Sequence, residues 1–546
     1  MSYKRFFILL LYTVLLTYIS WILNGQSLIG VDDANIYMIY MRNLAAGNGF
    51  VYSIGGEHVE GCTSLLWTLI GAGYSYFTDT PEIVLLFTNI ILITYSIYAI
   101  TSFFDSHSTA IFSQNSLMFL GIIAFTPGFI DWTVLSLLET GLWTFLLTIT
   151  TLHILRYNNT TPQKHYRIIF SLYCILLTVC RPEAMVWVPV FIGIFLLKEY
   201  TLRRSLQQSL YSLILLGSVF MLTLIVLIAW RLYYFGYPLP NTYYAKVSAN
   251  MADNIVTGLH YLYGVFRQKP SILLIVLFSV TYLIKHRKDI LLFTRNTFIL
   301  SMILFISLAL PLYSGGDHFG LQRYIIPSVL MVFMGGVILI NERITLTKKT
   351  MSVLLFLIVI SNTYFMVNTF ADGQYPIRHE WDIALQGREK AILLNTMFEG
   401  NILPKQGVVA AGGLAYSYKG ISIDLLGLNN TRMAHAKKHK NTQLPKNHAS
   451  FDKATFYQLR PDIFWYQHSG FSHHYRSSDT VRIIDSSSFD SKVFYHIHKD
   501  KKFRELYNLY RIRQKNKPVF LEIFALKTFI HQLDTDAYLI SQVSYQ

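Results

Sequence analysis

Apolar residues in this chain come in long blocks separated by short polar stretches. The first block, from about 5 to 23, is close to the ~20 residues a helix needs to cross a hydrocarbon layer of about 30 Å. Comparable blocks recur at about 82 to 104, 115 to 130, 141 to 156, 168 to 181, 184 to 197 and 210 to 230. Four more follow: a run ending at Lys285, then about 293 to 313, 324 to 341 and 351 to 369. The pattern predicts eleven membrane spans. The run at about 64 to 78 is apolar but short, and predicts a helix at the membrane boundary or half embedded in it.

The pattern changes after about 370. Short strand-like runs such as Gly407-Val408-Val409-Ala410-Ala411 and Ile421-Ser422-Ile423-Asp424-Leu425-Leu426 alternate with turn signals, which predicts a small mixed α/β domain. The expected organisation is therefore a polytopic α-helical membrane domain over 1 to 369, with a first outer loop at 24 to 81, and a soluble domain over 370 to 546.

The chain has 546 residues, 53% of them hydrophobic and only 14% charged, which excludes an ordinary soluble protein. Many of the Lys and Arg residues behind its formal net charge of +15 sit in short loops between apolar blocks, and others in the last third. With Lys4-Arg5 placed in the cytoplasm and the first block retained as a span, the loops rich in Lys and Arg all fall on the cytoplasmic side. They include Arg156, Lys164 and Arg167, then Lys198, Arg203 and Arg204, then Lys285 to Lys288, and finally Arg343, Lys348 and Lys349. Positive-inside topology thus accounts for the charge, and no nucleic-acid partner is implied. The same topology puts the soluble domain outside, its basic-aromatic stretches near lipid headgroups. Cys62, Cys174 and Cys180 give neither a disulfide framework nor a metal motif.

The polar clusters carry the candidate chemistry. Asp32-Asp33 follows directly on the first span, and the loop continues through Arg42 to Glu60. Read as an extended segment, it would turn the two carboxylates to opposite faces, one to a reactant and one to a backbone or cationic partner. Glu139 stands at a helix start, a favourable place for an anion. Arg181-Pro182-Glu183 sets two opposite charges at the junction of two apolar blocks, where charges pair or line a water-filled cavity. Arg231, Asn241 and Lys246 border an aromatic stretch, and Arg231 with Lys246 could meet a phosphate as fork and point charge. Asp317, His318 and Arg323 add a further acid and cation. The acids admit a divalent cation as cofactor, or none. No Walker loop, dinucleotide fingerprint, H-E-x-x-H or nucleophile elbow occurs.

Asp32-Asp33-Ala34-Asn35-Ile36, Arg42-Asn43-Leu44, Gly47-Asn48-Gly49, Gly56 to Gly61 and Thr63 to Trp67 together resemble the first loop of polytopic GT-C glycosyltransferases. That group includes the mycobacterial terminal arabinofuranosyltransferase and the LphB-like bacterial proteins. The resemblance continues through Leu138-Glu139-Thr140, Arg181-Pro182-Glu183, Pro240-Asn241-Thr242 with Lys246, Gly315-Gly316-Asp317 with Arg323, and Asp424 to Leu428. It departs at Leu137-Leu138, where small residues commonly precede the acid, and at Cys62 and His318, where aromatics are common.

The resemblance implies a bacterial inner-membrane enzyme with its site and soluble domain on the periplasmic side. It implies inverting transfer of a sugar from a polyprenyl-phosphate donor to a cell-envelope glycan or lipid acceptor. Asp32 is then expected as general base and Asp33 as its orienter. Lys246, Arg323 and Arg181 are expected at phosphate or sugar. Arg42, Glu60, Glu139, Glu183, Arg231, Asn241, Asp317 and His318 complete the expected substrate contacts. The competing reading is a transporter or flippase of a lipid-linked sugar, which would place its polar residues near mid-membrane in broken helices.

Overall fold

The computed structural model describes residues 2–106, 108–246, 251–343, 377–436, 448–473 and 481–546, with the isolated positions 356–357, 360–361, 364 and 444. Helices dominate up to Arg343: α1 (Ser2–Leu23), α2 (Asp32–Ala45), α3 (Leu65–Ser75), α4 (Pro81–Phe104), α5 (Gln114–Ala124), α6 (Thr140–Arg156) and α7 (Gln163–Cys180). They continue with α8 (Ala184–Arg203), α9 (Leu206–Phe235), α10 (Asn241–Lys246), α11 (Met251–Gln268), α12 (Pro270–His286), α13 (Asn296–Ser314) and α14 (Val329–Arg343).

Six described helices are long and apolar enough to cross a membrane: Tyr3–Leu23, Pro81–Phe104, Ala184–Arg203, Leu206–Phe235, Asn296–Ser314 and Arg323–Ile340. The pair α11 and α12, bent by 104°, raises the number to seven if it forms one span. Helices also stand at three further expected spans, but α5 has only 11 residues, α6 has 17, and α7 opens with Lys164, His165 and Arg167. The expected block at 115 to 130 ends early because Pro127-Gly128 interrupts it. A π-helical turn, Asp131–Leu135, follows. Its buried Asp131 accepts hydrogen bonds from Ser20 and from Asn24 at 2.6 Å. The expected span 351 to 369 lies outside the described residues apart from five positions within it.

The first loop differs from its expected extended form. Asp32 to Ala45 is helical, with both acids in the first turn, where the helix dipole favours them. Ten of its residues are buried, so tertiary packing rather than an exposed amphipathic face holds it.

The C-terminal part opens with the helix Arg378–Met397 and builds a seven-stranded mixed sheet in the order β2-β1-β3-β6-β5-β7, with β4 on β6. The strands are β1 (Gln406–Val408), β2 (Ser422–Asp424), β3 (Ile463–Phe464), β4 (Gly470–Ser472), β5 (Tyr507–Gln514), β6 (Phe520–Leu526) and β7 (Tyr538–Val543). The pairs β1–β2 and β1–β3 are parallel, and the others antiparallel. Buried Phe456, Phe464, Phe494, Phe503 and Phe524 fill one side of it.

This sheet region is bonded to the first loop. The Tyr52 hydroxyl donates to Ala411 O at 2.5 Å, Ser53 to Ser422 O at 3.1 Å, Tyr40 to Asn429 Oδ1 at 3.0 Å, and Arg42 to Tyr416 O at 3.0 Å. Gly412 packs closely as well: a Cβ there would stand 1.9 Å from the Asp32 carbonyl oxygen. Gly412→Ala should therefore destabilise the fold by roughly 1–3 kcal/mol, as overpacking does. Gly193→Ala, with nothing within 4 Å of the new methyl, should be neutral or slightly stabilising. Thermal melting in detergent, with limited proteolysis of the C-terminal part, separates the two outcomes.

Candidate functional site

One cavity of about 820 Å³ gathers the polar clusters that lie far apart in sequence. Asp33 reaches it from the start of α2, Glu139 from the N-cap of α6, Arg181 and Glu183 from the turn between α7 and α8, and Lys246 from the end of α10. Asp317, His318 and Arg323 enter from the loop after α13. Val179, Met185, Leu224 and Leu227 give the same cavity an apolar wall. Its lining thus joins charged and apolar side chains.

Arg181 and Arg323 organise the charged side. Arg181 bonds Glu139 through Nη1 and grips Glu183 with two contacts, at 3.0 and 2.7 Å. Arg323 donates from Nε to Asp317 at 3.0 Å and faces Asp33 at 3.7 Å. Its guanidinium lies 3.8 Å from the Phe319 ring centroid and 5.5 Å from that of Trp132, which fixes its plane. Lys246 forms no ion pair within 4 Å among the described residues, although Asp33 stabilises its charge against the lowering effect of burial. Glu139 Oε2 and Asp317 Oδ1 are buried acceptors with no protein partner among the described residues.

The two neighbouring acids part company. Asp32 is buried away from the cavity, its carboxylate accepting from Gly412 N at 3.0 Å and Gly413 N at 2.8 Å. Asp33, with a quarter of its side chain exposed, lines the cavity. Of the two acids, the one expected as base, Asp32, is bound to backbone amides, and the one expected as its orienter, Asp33, lines the cavity. The cause is the helical start of α2, which aims residue 32 at the C-terminal part and residue 33 at Arg323.

Three other expected contacts are committed elsewhere. Arg231 lines the cavity, but its Nε and Nη2 are both taken by Glu60, each at 2.8 Å, in a buried bidentate pair. It therefore offers no free fork for a phosphate. Asn241 lies beside the cavity and donates to the carbonyls of Gly427 and Leu428 at 2.8 and 2.9 Å, tying α10 to the C-terminal part. Arg42 is bound to Tyr416, its guanidinium 4.9 Å from that ring. Among the described residues, no group of three or more His, Cys, Asp or Glu side chains is arranged to hold a metal ion.

The C-terminal part contributes residues the sequence did not single out. Glu380 is in electrostatic contact with Asp33, and burial together with Asp33 and Asp32 raises its carboxyl to about 7. His448 stacks edge-on to His318 at 5.8 Å, and burial lowers its imidazole to about 4, so it is neutral at neutral pH. Leu444 and Ala449 line the cavity. No local motif marks any of the four, because each becomes a neighbour of Asp33 or Lys246 only through long-range folding.

A scan against protein-family models finds no match, and a search of curated proteins finds none either.

Two outcomes follow from the ion pairing. Glu60→Leu alone should destabilise by about 3–5 kcal/mol, because it leaves Arg231 buried without its partner, whereas Glu60→Leu with Arg231→Met should recover most of that loss. Asp32 supplies the second. Burial lifts its carboxyl from 3.8 to about 6 against the pull of the two amides. The folded protein then holds this proton more tightly than the unfolded chain, so the contribution is full below pH ~3.8 and lost as pH rises through about 6. Between pH 4 and 7 the parent should lose roughly 2 kcal/mol relative to Asp32→Asn, read as the difference between their thermal stabilities at each pH.

Proposed function

We propose that the protein is a membrane glycosyltransferase of GT-C type, taking a sugar from a polyprenyl-phosphate donor to a hydroxyl of a cell-envelope glycan or lipid. The observation that carries this reading is one cavity in which an apolar wall meets Asp33, Lys246, Arg323 and Arg181. A lipid-linked sugar has the same division: an apolar chain, an anionic phosphate and a polar ring.

In the proposed reaction the Asp33 carboxylate takes the proton of the acceptor hydroxyl as the acceptor oxygen bonds to the anomeric carbon. The bond from that carbon to the phosphate oxygen breaks, and the polyprenyl phosphate leaves with the electron pair. Single displacement inverts the anomeric centre. Lys246 is the principal phosphate contact in this scheme, because its three donors carry no ion pair among the described residues. Arg323 adds its remaining Nη2, and its position over Phe319 and Trp132 holds it ready without reorganisation. Asp32 acts through Asp33, by anchoring the first turn of α2 to Gly412 and Gly413. The reading places the cavity and the sheet region on the periplasmic side of a bacterial inner membrane.

The test is glycosyl transfer from a panel of polyprenyl-phosphate sugars by protein in detergent. Asp33→Asn should lower kcat by about 10²–10⁴-fold, the range of a lost general base, with donor binding retained. Lys246→Met should weaken donor binding by about tenfold or more. Equal turnover by the parent and Asp33→Asn would remove Asp33 as base. Movement of unconsumed donor between leaflets would replace the transferase with a flippase.

A further inference from the structure

Helix α11 (Met251–Gln268) presents an exposed apolar stripe. Met251, Ile255, Leu259 and Tyr263 recur every fourth residue and are all exposed, Leu259 at 56% and Tyr263 at 67%. Such spacing puts them on one side of the helix. Val256 widens the stripe, which ends at exposed Arg267 in the last turn, a cation that suits the headgroup level. The other side is bound to the site: Asn254, Thr257 and Tyr261 line the cavity.

The seat of α11 on the site loop is close. A Cβ at Gly258 would stand 2.4 Å from Leu312 O, and one at Gly316 would stand 2.4 Å from the Tyr261 ring. The Tyr261 hydroxyl accepts from Tyr324 N at 3.0 Å, next to Arg323. Only glycine at 258 and 316 lets α11 lie this near the loop that carries Asp317 and Arg323.

Direction supplies the rest of the argument. Pro270 starts α12, and the two helix axes meet at 104°. Helix α12 exposes Leu273, Leu277 and Ile284, and α9, a helix of spanning length, exposes Leu222 and Val226. The bend turns α11 nearly perpendicular to α12, so if α12 stands among lipid chains α11 lies across them. Helix α9 meets α11 at the cavity, which Leu224 and Leu227 line together with Asn254 and Thr257.

We infer that α11 lies in the lipid–water interface with this stripe among the acyl chains, and that it is the wall past which an amphipathic ligand moves between bilayer and cavity. The occupant of the stripe is the membrane itself, as for other in-plane amphipathic helices. The passage of a ligand rests on the transferase reading; the seat in lipid does not.

The experiment uses full-length protein in nanodiscs of phosphatidylethanolamine and phosphatidylglycerol. Leu259→Cys carries an environment-sensitive fluorophore, and Lys501→Cys, on an exposed side chain of the C-terminal part, is the aqueous control. The native cysteines are buried and spare the label. Spin-labelled lipid should quench the label at 259 several-fold more than the label at 501, and aqueous iodide should do the reverse. Iodide quenching at 259 equal to that at 501, without lipid quenching, would overturn the membrane seat.

For the portal, Leu259→Asn should raise the KM for a long-chain donor by about tenfold, the loss of roughly one buried apolar contact, and leave that for a short-chain soluble donor unchanged. Equal effects on both donors would overturn it. If no donor is consumed even by the parent while lipid quenching persists, the transferase reading and its portal fall and the membrane seat stands.

Discussion

The contact on which the site depends is the Asp32 carboxylate held by the amides of Gly412 and Gly413. It joins residues about 380 apart and is buried, so its strength is little diluted by solvent. It also decides direction. Once Asp32 points into the C-terminal part, the next residue on the helix turns by about 100° to the cavity, and Asp33 meets Arg323. The side chains of Arg388, Tyr52 and Asn241 repeat the same link at other points: Arg388 bonds Asn35 at 2.7 Å and Glu82 at 2.8 Å.

Charge balance in the cavity follows from how its arginines are shared. Arg181 is divided between Glu139 and Glu183, and Arg323 between Asp317 and Asp33. Each arginine is thereby fixed in place at low dielectric, and neither can turn fully toward a ligand without leaving a buried carboxylate behind. Lys246 differs: it is half-buried and forms no ion pair among the described residues. In the proposed reaction the donor phosphate would gain most from Lys246, with the paired arginines fixed around it. Shared arginines keep their geometry whether or not a ligand is bound, which is what preorganisation requires.

Much of this was legible in the residues, and what was not has a physical reason. Apolar blocks located the helices because span length is a property of local sequence. Asp33, Glu139, Arg181, Lys246, Asp317 and Arg323 stood out because charge beside an apolar block needs compensation. That Asp32 is the backbone-bound acid and Asp33 the cavity-lining one was illegible, since it turns on whether residue 32 starts a helix, and partners in the C-terminal part decide that. Arg231 read as a free fork because Glu60 is 171 positions away. Glu380 and His448 carried no signal for the same reason: nothing near them in sequence is unusual.

The bonds between first loop and sheet region also bear on transferase against carrier. A carrier exposes its site to each side of the membrane in turn, by rocking one half of the structure against the other. Here the first turn of α2, which holds Asp33, is bonded to a polar, sheet-bearing region through Asp32, Arg42, Tyr40 and Tyr52. Moving Asp33 toward the opposite side would either break the buried bonds of Asp32, Tyr40 and Tyr52, at about 1–3 kcal/mol for each group left unsatisfied, or drag polar strands into hydrocarbon. Either cost is large against a total stability of ~5–15 kcal/mol. A site that keeps one exposure and holds its acid still suits a reaction in which reactants come to it, and that argument favours the transferase.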